Sequence, residues 1–211
     1  MTRTEPDPDL KAKFSDTPWA IKLFEDPTLK PFVNDSRIVK SHTGDTFCAR
    51  TLATEDTIAA WQSFYRLPST PSSATQSSSS SSSPTSTSSS SDKNVEILSI
   101  LKLGSGVNGH RDICHGGFVS LLLDEVLGSI AESQRVGDQS TMTAYLKVDY
   151  KAPVRTPGTV LCRAWLEKRE GRKMWIKGTV EDGRGQALAL GDALFVIVEG
   201  ERVGKVGKAK I

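Results

Sequence analysis

Asn108-Gly-His-Arg-Asp-Ile-Cys-His115-Gly116-Gly117 runs directly into Phe118-Val-Ser-Leu-Leu-Leu-Asp124-Glu125, and this join of a glycine pair to an apolar run decides the fold. Val119, Leu122, Val126 and Ile130, with Leu123 and Leu127, recur at three- and four-residue intervals. They predict a helix over 116–133 with an apolar surface broad enough to be wrapped by a sheet. A helix that begins at glycines offers unpaired backbone N–H groups at its positive end, and Asp124 follows two turns further in. Amide donors and a carboxylate on one rigid element read as a carbonyl site. Two plainer readings stand beside it: Gly116-Gly117 as a tight turn only, and Asp124-Glu125 as a solvated acidic patch. With about 1.5 Å of rise per residue, Gly117 and Asp124 lie roughly 10 Å apart along the axis, too far to act on one carbonyl from a single helix. Two antiparallel copies related by a two-fold near Ser120 and Leu121 would set Gly117 of one chain opposite Asp124 of the other. That predicts a homodimer with composite sites.

On the N-terminal side of this stretch, Val95, Ile97, Ser99, Leu101 and Leu103 alternate as one face of a strand that ends at Gly104-Ser-Gly106. On the C-terminal side, strands are expected over 140–149, 158–169, 172–182 and 186–198. Glu170-Gly171 and Asp182-Gly183-Arg184-Gly185 supply the hairpin turns of an antiparallel meander. The expected class is α+β, an antiparallel sheet of five to six strands wrapped around a long central helix, with an N-terminal helical extension. There is no GxGxxG, no GxxxxGK[ST] and no βαβ alternation, so nucleotide-binding Rossmann and P-loop readings fail.

The remaining segments divide the chain. Residues 1–68 read as a charged, Pro-bearing tail, then short helical turns carrying Trp19, Ile21, Leu23, Phe24, Leu29, Phe32 and Val33, then a strand and a helix packed on the core. The strand is expected at Thr46–Leu52. The helix is expected after the cap at Thr54, from the spacing of Ile58, Trp61, Phe64 and Tyr65, and it should end near Pro68. Residues 69–93 are almost all Ser, Thr and Pro, gain little by burial, and are expected to be a disordered insert. The catalytic unit is then 94–199, followed by a basic tail at 200–211.

Charge narrows the function. A formal net charge of +2, from 27 basic and 25 acidic side chains, gives no broad reason to expect nucleic acid or an anionic membrane as partner. No apolar run reaches about 18 residues, which argues against a membrane span. The polar start of the chain lacks a secretory h-region, so cytoplasm is the default compartment, with the mitochondrion left open. The three cysteines, Cys48, Cys114 and Cys162, form no CxxC, so neither a disulfide framework nor a zinc site is expected, and no metal or separate cofactor is called for. A Cys114–His115 dyad is a weak reading, because adjacent residues rarely meet in reacting geometry.

The motifs together resemble the hotdog-fold acyl-CoA thioesterases, in particular the PaaI-like and THEM-like branch. The resemblance is carried by Asn108, His115-Gly116-Gly117 seven residues on, Asp124 nine beyond His115, and Thr141-Met-Thr143 through Tyr150-Lys-Ala-Pro153, with the Glu170-Gly-Arg172-Lys173 turn as a further likeness. It covers residues 95–198. It implies two protomers with antiparallel long helices and sites at their interface, as a homodimer or a dimer of dimers. It implies the Gly117 N–H as oxyanion donor, and Asp124 of the partner chain as general base for water or, second, as nucleophile. Asn108 and Thr143 would hold the water or substrate, and His115 would order the loop rather than act as base. Gly116 would line the substrate site. Arg155, Arg172 and Lys173 are candidates to meet the phosphates of coenzyme A, which enters as part of the substrate, with a solvated hairpin charge run as the equal alternative. The chemistry is sound on its own terms: water held by a carboxylate can attack an electrophilic thioester carbonyl if the developing charge meets preorganised donors. Two alternatives remain at this point. One is a hydrolase of acyl-carrier-protein thioesters or another hotdog biosynthetic enzyme; the other is a non-catalytic acyl-binding protein that kept the scaffold.

Overall fold

The structure, a computed structural model, describes residues 8–66 and 95–199. The expected insert at 69–93 and the basic tail at 200–211 lie outside the described residues. In chain order the elements are α1 (Pro8–Ala12), α2 (Pro18–Glu25), β1 (Lys30–Phe32), β2 (Ile58–Arg66), β3 (Glu96–Leu103), β4 (Asn108–His110), β5 (Ile113–Cys114), α3 (Gly116–Gln134), β6 (Ser140–Tyr150), β7 (Gly158–Glu170), β8 (Lys173–Glu181) and β9 (Ala187–Val198). Seven strands form one sheet in the order β1-β2-β3-β7-β8-β9-β6, every pairing antiparallel, with β4 and β5 as a separate small ribbon. The α+β class holds; the expected five to six strands become seven because the N-terminal region adds β1 and β2. The expected meander is also corrected. Only β7-β8-β9 follow one another through hairpins, and β6 crosses over to the far side of β9.

The helix lies on one face of the sheet, against β3, β6, β7, β8 and β9. Its Leu122, Leu123, Val126, Leu127 and Ile130 are fully buried with Ile176, Val180, Ala189 and Ala193 of the sheet. Two glycines opposite each other across β8 and β9, Gly178 and Gly191, allow this close approach. A Cβ on Gly178 would sit 2.4 Å from the Arg163 carbonyl oxygen and 2.6 Å from Cδ1 of Leu127. Gly178→Ala is therefore expected to destabilise the fold by about 1–3 kcal/mol, the usual cost of overpacking, read as a lower urea midpoint at unchanged slope. An unmoved midpoint would mean that the helix is free to lift.

Two expectations from the N-terminal region are overturned. Thr46–Leu52 is not a strand: Phe47–Thr51 forms a short π-helical turn. The segment expected as a helix is instead β2. Its aromatic residues lie on both faces of the sheet. Trp61 and Tyr65 face the main core, while Ala60 and Phe64 face a second cluster with Phe14, Ala20, Leu29, Leu98, Ile100 and Leu161. A strand buried on both faces loses the two-residue alternation that identifies it, and a bulge between Ile58 and Ala60 shifts the pattern further toward helical spacing. The expected accessory layer is present. The helix α2 covers the outer face of β2 and β3, and Trp19 lies over Gly183, whose φ of +78° no side chain there would favour. The interior hydroxyls on these strands are satisfied: Trp61 donates to Ser63 Oγ at 3.1 Å, and Ser63 and Ser99 share a 2.7 Å hydrogen bond.

Candidate active site

An open cavity of about 690 Å³ lies along the exposed side of α3, and Asn108, His115, Gly117, Asp124 and Thr143 all line it. The small ribbon β4–β5 delivers the first of these. Its backbone is tied in on both sides, the His115 N–H donating to Val107 O at 2.8 Å and the Cys114 N–H to Val154 O at 2.9 Å. Asn108 Oδ1 accepts a short hydrogen bond from the buried Thr156 hydroxyl, which assigns the amide NH2 as its remaining donor end.

His115 is the N-cap of α3. Its Nδ1 accepts from the Gly117 N–H at 3.0 Å, which leaves the ring proton on Nε2. The amide expected to serve a carbonyl oxygen is thus occupied by the cap, and the imidazole must yield before Gly117 can donate elsewhere. Gly116 is not among the cavity-lining residues; its carbonyl accepts from Tyr150 Oη at 2.8 Å and from Ser120 Oγ at 3.2 Å. Two turns along, Asp124 Oδ1 accepts from Thr143 Oγ1 at 2.9 Å. Thr143 projects from β6 across the helix, so the sheet edge holds the carboxylate that the helix carries. Both residues remain accessible to water.

The cationic candidates are not brought to this cavity. Arg155 lines a separate groove with Asp182 and Arg184, and Arg172 and Lys173 stand exposed at the β7–β8 hairpin. The cysteines are free and buried. Burial pushes the Cys114 thiol up to about 11, so a thiolate nucleophile beside His115 is not formed at neutral pH. Among the described residues no group of three or more His, Cys, Asp or Glu side chains could hold a metal ion. No helix of the described residues is long and apolar enough to cross a membrane.

Reading the sequence missed several neighbours. Phe47 and Leu52 line the cavity from the N-terminal region, and nothing in local spacing points from them to Asp124. Glu125, for which a solvated patch was the plainer alternative, instead lies close to the side chains of Ser36 and Cys48. Arg37 beside it donates to Cys48 O at 2.7 Å and lies 5.8 Å over the Trp61 ring. Burial pushes the Glu125 carboxyl above its ordinary value; the hydrogen bonds from Ser36 and Cys48 oppose this, and the charges of Asp124 and Asp45 reinforce it. A carboxyl raised in the folded state contributes its full stability below the unfolded value and loses it as pH rises through the folded one. The melting temperature of the native chain should therefore fall relative to Glu125→Gln as pH climbs above 4.5, the ordinary value. Parallel curves for the two proteins would remove this role.

Residues 112–189 match the profile of the Thioesterase superfamily. Over that stretch the chain is similar to the thioesterases of this superfamily. Among curated relatives, the chain is 28% identical over 107 residues to the rat (Rattus norvegicus) acyl-coenzyme A thioesterase THEM4, a match covering 50% of this chain and 45% of the relative. It is 33% identical over 90 residues to an uncharacterised mitochondrial protein of Candida albicans (strain WO-1), covering 43% of this chain and 40% of that one. Both matches span under half of the relative's length. A Bacillus halodurans protein crystallised with CoA is 25% identical, with a TM-score of 0.45 over 48% of this chain and 66% of the other.

Proposed function

We propose that the protein hydrolyses acyl-CoA thioesters to free acid and CoA at sites shared between two copies of the chain. One observation supports the hydrolytic part of this reading: a carboxylate anchored by Thr143, a capped helix N-terminus and the Asn108 amide all open onto the cavity along α3. Asp124 takes a proton from a water that Thr143 and Asn108 help to place, and the water attacks the thioester carbon. The oxygen, as it becomes negative, draws the Gly117 N–H away from His115 Nδ1, so the donor is preset and loses one acceptor as it gains a stronger one. The sulfur leaves as the CoA thiol once it is protonated.

The roughly 10 Å between Gly117 and Asp124 along the helix calls for the partner chain. β6 is suited to meet it: it ends the sheet, and Met142 and Tyr145 on it are about half exposed. The names of the THEM4 relatives support CoA esters as substrates, and that of the Candida protein supports the mitochondrial alternative over the cytoplasmic default. Arg155, Arg172 and Lys173 are assigned to CoA phosphates beyond the cavity; a raised KM at unchanged kcat on their replacement would bear that out. The test of the function is release of free thiol from a panel of acyl-CoAs, with carrier-protein thioesters in parallel. Turnover of carrier-linked esters alone would move the assignment to a biosynthetic hydrolase, and binding of both without turnover to an acyl-binding protein.

A further inference from the structure

We infer that Phe47, which lies outside the residues that match the superfamily, is the wall that selects the acyl group and favours uncharged apolar chains; this rests on the thioesterase reading. The cavity lining combines two kinds of residue. Asn108, His115, Gly117, Asp124 and Thr143 supply the polar groups on which a thioester would react, whereas Phe47, Leu52, Val107, Phe118, Leu121 and Leu146 are apolar, and among the described residues no Lys or Arg lines it. An anionic acyl group would thus meet the Asp124 carboxylate with no countercharge, while an apolar one gains by leaving water.

Among the apolar lining residues, Phe47 differs from Leu52 in what it still exposes. Leu52 is 7% exposed and already part of the core, but Phe47 keeps 54% of its surface open, so it has contact area left to give a substrate. The backbone that carries the ring is also held in place. The Leu52 N–H donates to Phe47 O at 2.9 Å, Arg37 clamps the carbonyls of Cys48 and Leu52 at 2.7 and 3.3 Å, and the Ser36 and Cys48 side chains lie close to Glu125, the neighbour of Asp124 on α3. At the far end of the segment, Asp56 bonds the Ser105 hydroxyl and the N–H of Gly106, itself a cavity residue. A Cβ on Gly106 would lie 2.5 Å from Asp56 Oδ2, so this seam admits nothing larger than glycine. Phe47 therefore belongs to a wall bolted to the catalytic helix rather than to a loose loop, and a rigid wall can discriminate by length and shape.

The experiment uses the full chain and compares native protein with Phe47→Ala on acetyl-, butyryl-, succinyl- and decanoyl-CoA. Binding of CoA and of non-hydrolysable S-decyl-CoA is measured alongside. The variant should lose about tenfold in kcat/KM on decanoyl-CoA, with acetyl-CoA changed less than about twofold, and should bind S-decyl-CoA more weakly but CoA equally. Native protein should prefer butyryl- to succinyl-CoA. Equal losses on all esters, no loss on any, or a preference for succinyl-CoA would overturn the inference. If native protein cleaves nothing yet Phe47→Ala still weakens S-decyl-CoA selectively, the wall stands and hydrolysis falls; if S-decyl-CoA does not bind, both fall. Phe47→Leu gives the same comparison should the alanine variant fold poorly, with an intermediate loss expected.

Discussion

Asp124→Asn is expected to lower turnover of acyl-CoA by at least about 10²-fold, the scale on which an acid–base group contributes, while KM and the melting temperature stay close to those of the native chain. The amide keeps an oxygen at the position where Asp124 Oδ1 accepts from Thr143 at 2.9 Å, so the geometry of helix and sheet edge is retained. What it loses is the ability to take a proton from water. A fall in kcat without a matching change in KM is the signature of an interaction made only in the transition state. Asp124 is partly open to solvent, and substitutions away from buried networks usually move stability by no more than about 0.5 kcal/mol, so lost activity could not be ascribed to unfolding. Turnover equal to that of native protein would remove Asp124 as the base.

Under the proposed two-copy site, in which one chain gives the helix N-terminus and the other the carboxylate, mixing two inactive variants is expected to restore activity. Gly117→Pro deletes the donor N–H, and proline is tolerated in the first turn of a helix, where α3 places residue 117. Loss of one oxyanion donor costs about 10²–10³ in kcat, so this variant and Asp124→Asn should each be nearly silent alone. After subunits exchange at random, about half the dimers are mixed, and each mixed dimer holds one site with both defects and one with neither. About a quarter of native activity should return. The readout is thiol release after co-refolding of differently tagged variants, with mixed dimers isolated by both tags. If isolated mixed dimers are no more active than the two parents, each chain acts alone and the two-copy mechanism is wrong.

How far the chain could be read in advance depended on whether a segment is buried on one face or two. α3 and the strands β8 and β9 were legible because each hides one side. Along β8, buried Met174, Ile176, Gly178 and Val180 alternate with more accessible residues. β2 was misread because Trp61 and Phe64 are buried on opposite faces, so their three-residue spacing imitates a helix. Asn108, His115, Gly117, Asp124 and Thr143 were legible as motif residues. The cap made by His115, the Thr156–Asn108 bond and the approach of Phe47 were not, since each joins positions through space that no local period connects.

The order of residues from Asn108 to Glu125 was enough to determine a glycine-started apolar helix with a carboxylate two turns in, because helical periodicity and the demand for N-terminal hydrogen-bond partners are local rules. Only the tertiary structure decided that β6 crosses beyond β9 to bring Thr143 onto Asp124, and that the segment around Phe47 closes one side of the cavity. Those arrangements depend on which apolar faces are left uncovered once the local elements exist, and burial of such faces is a property of the whole chain.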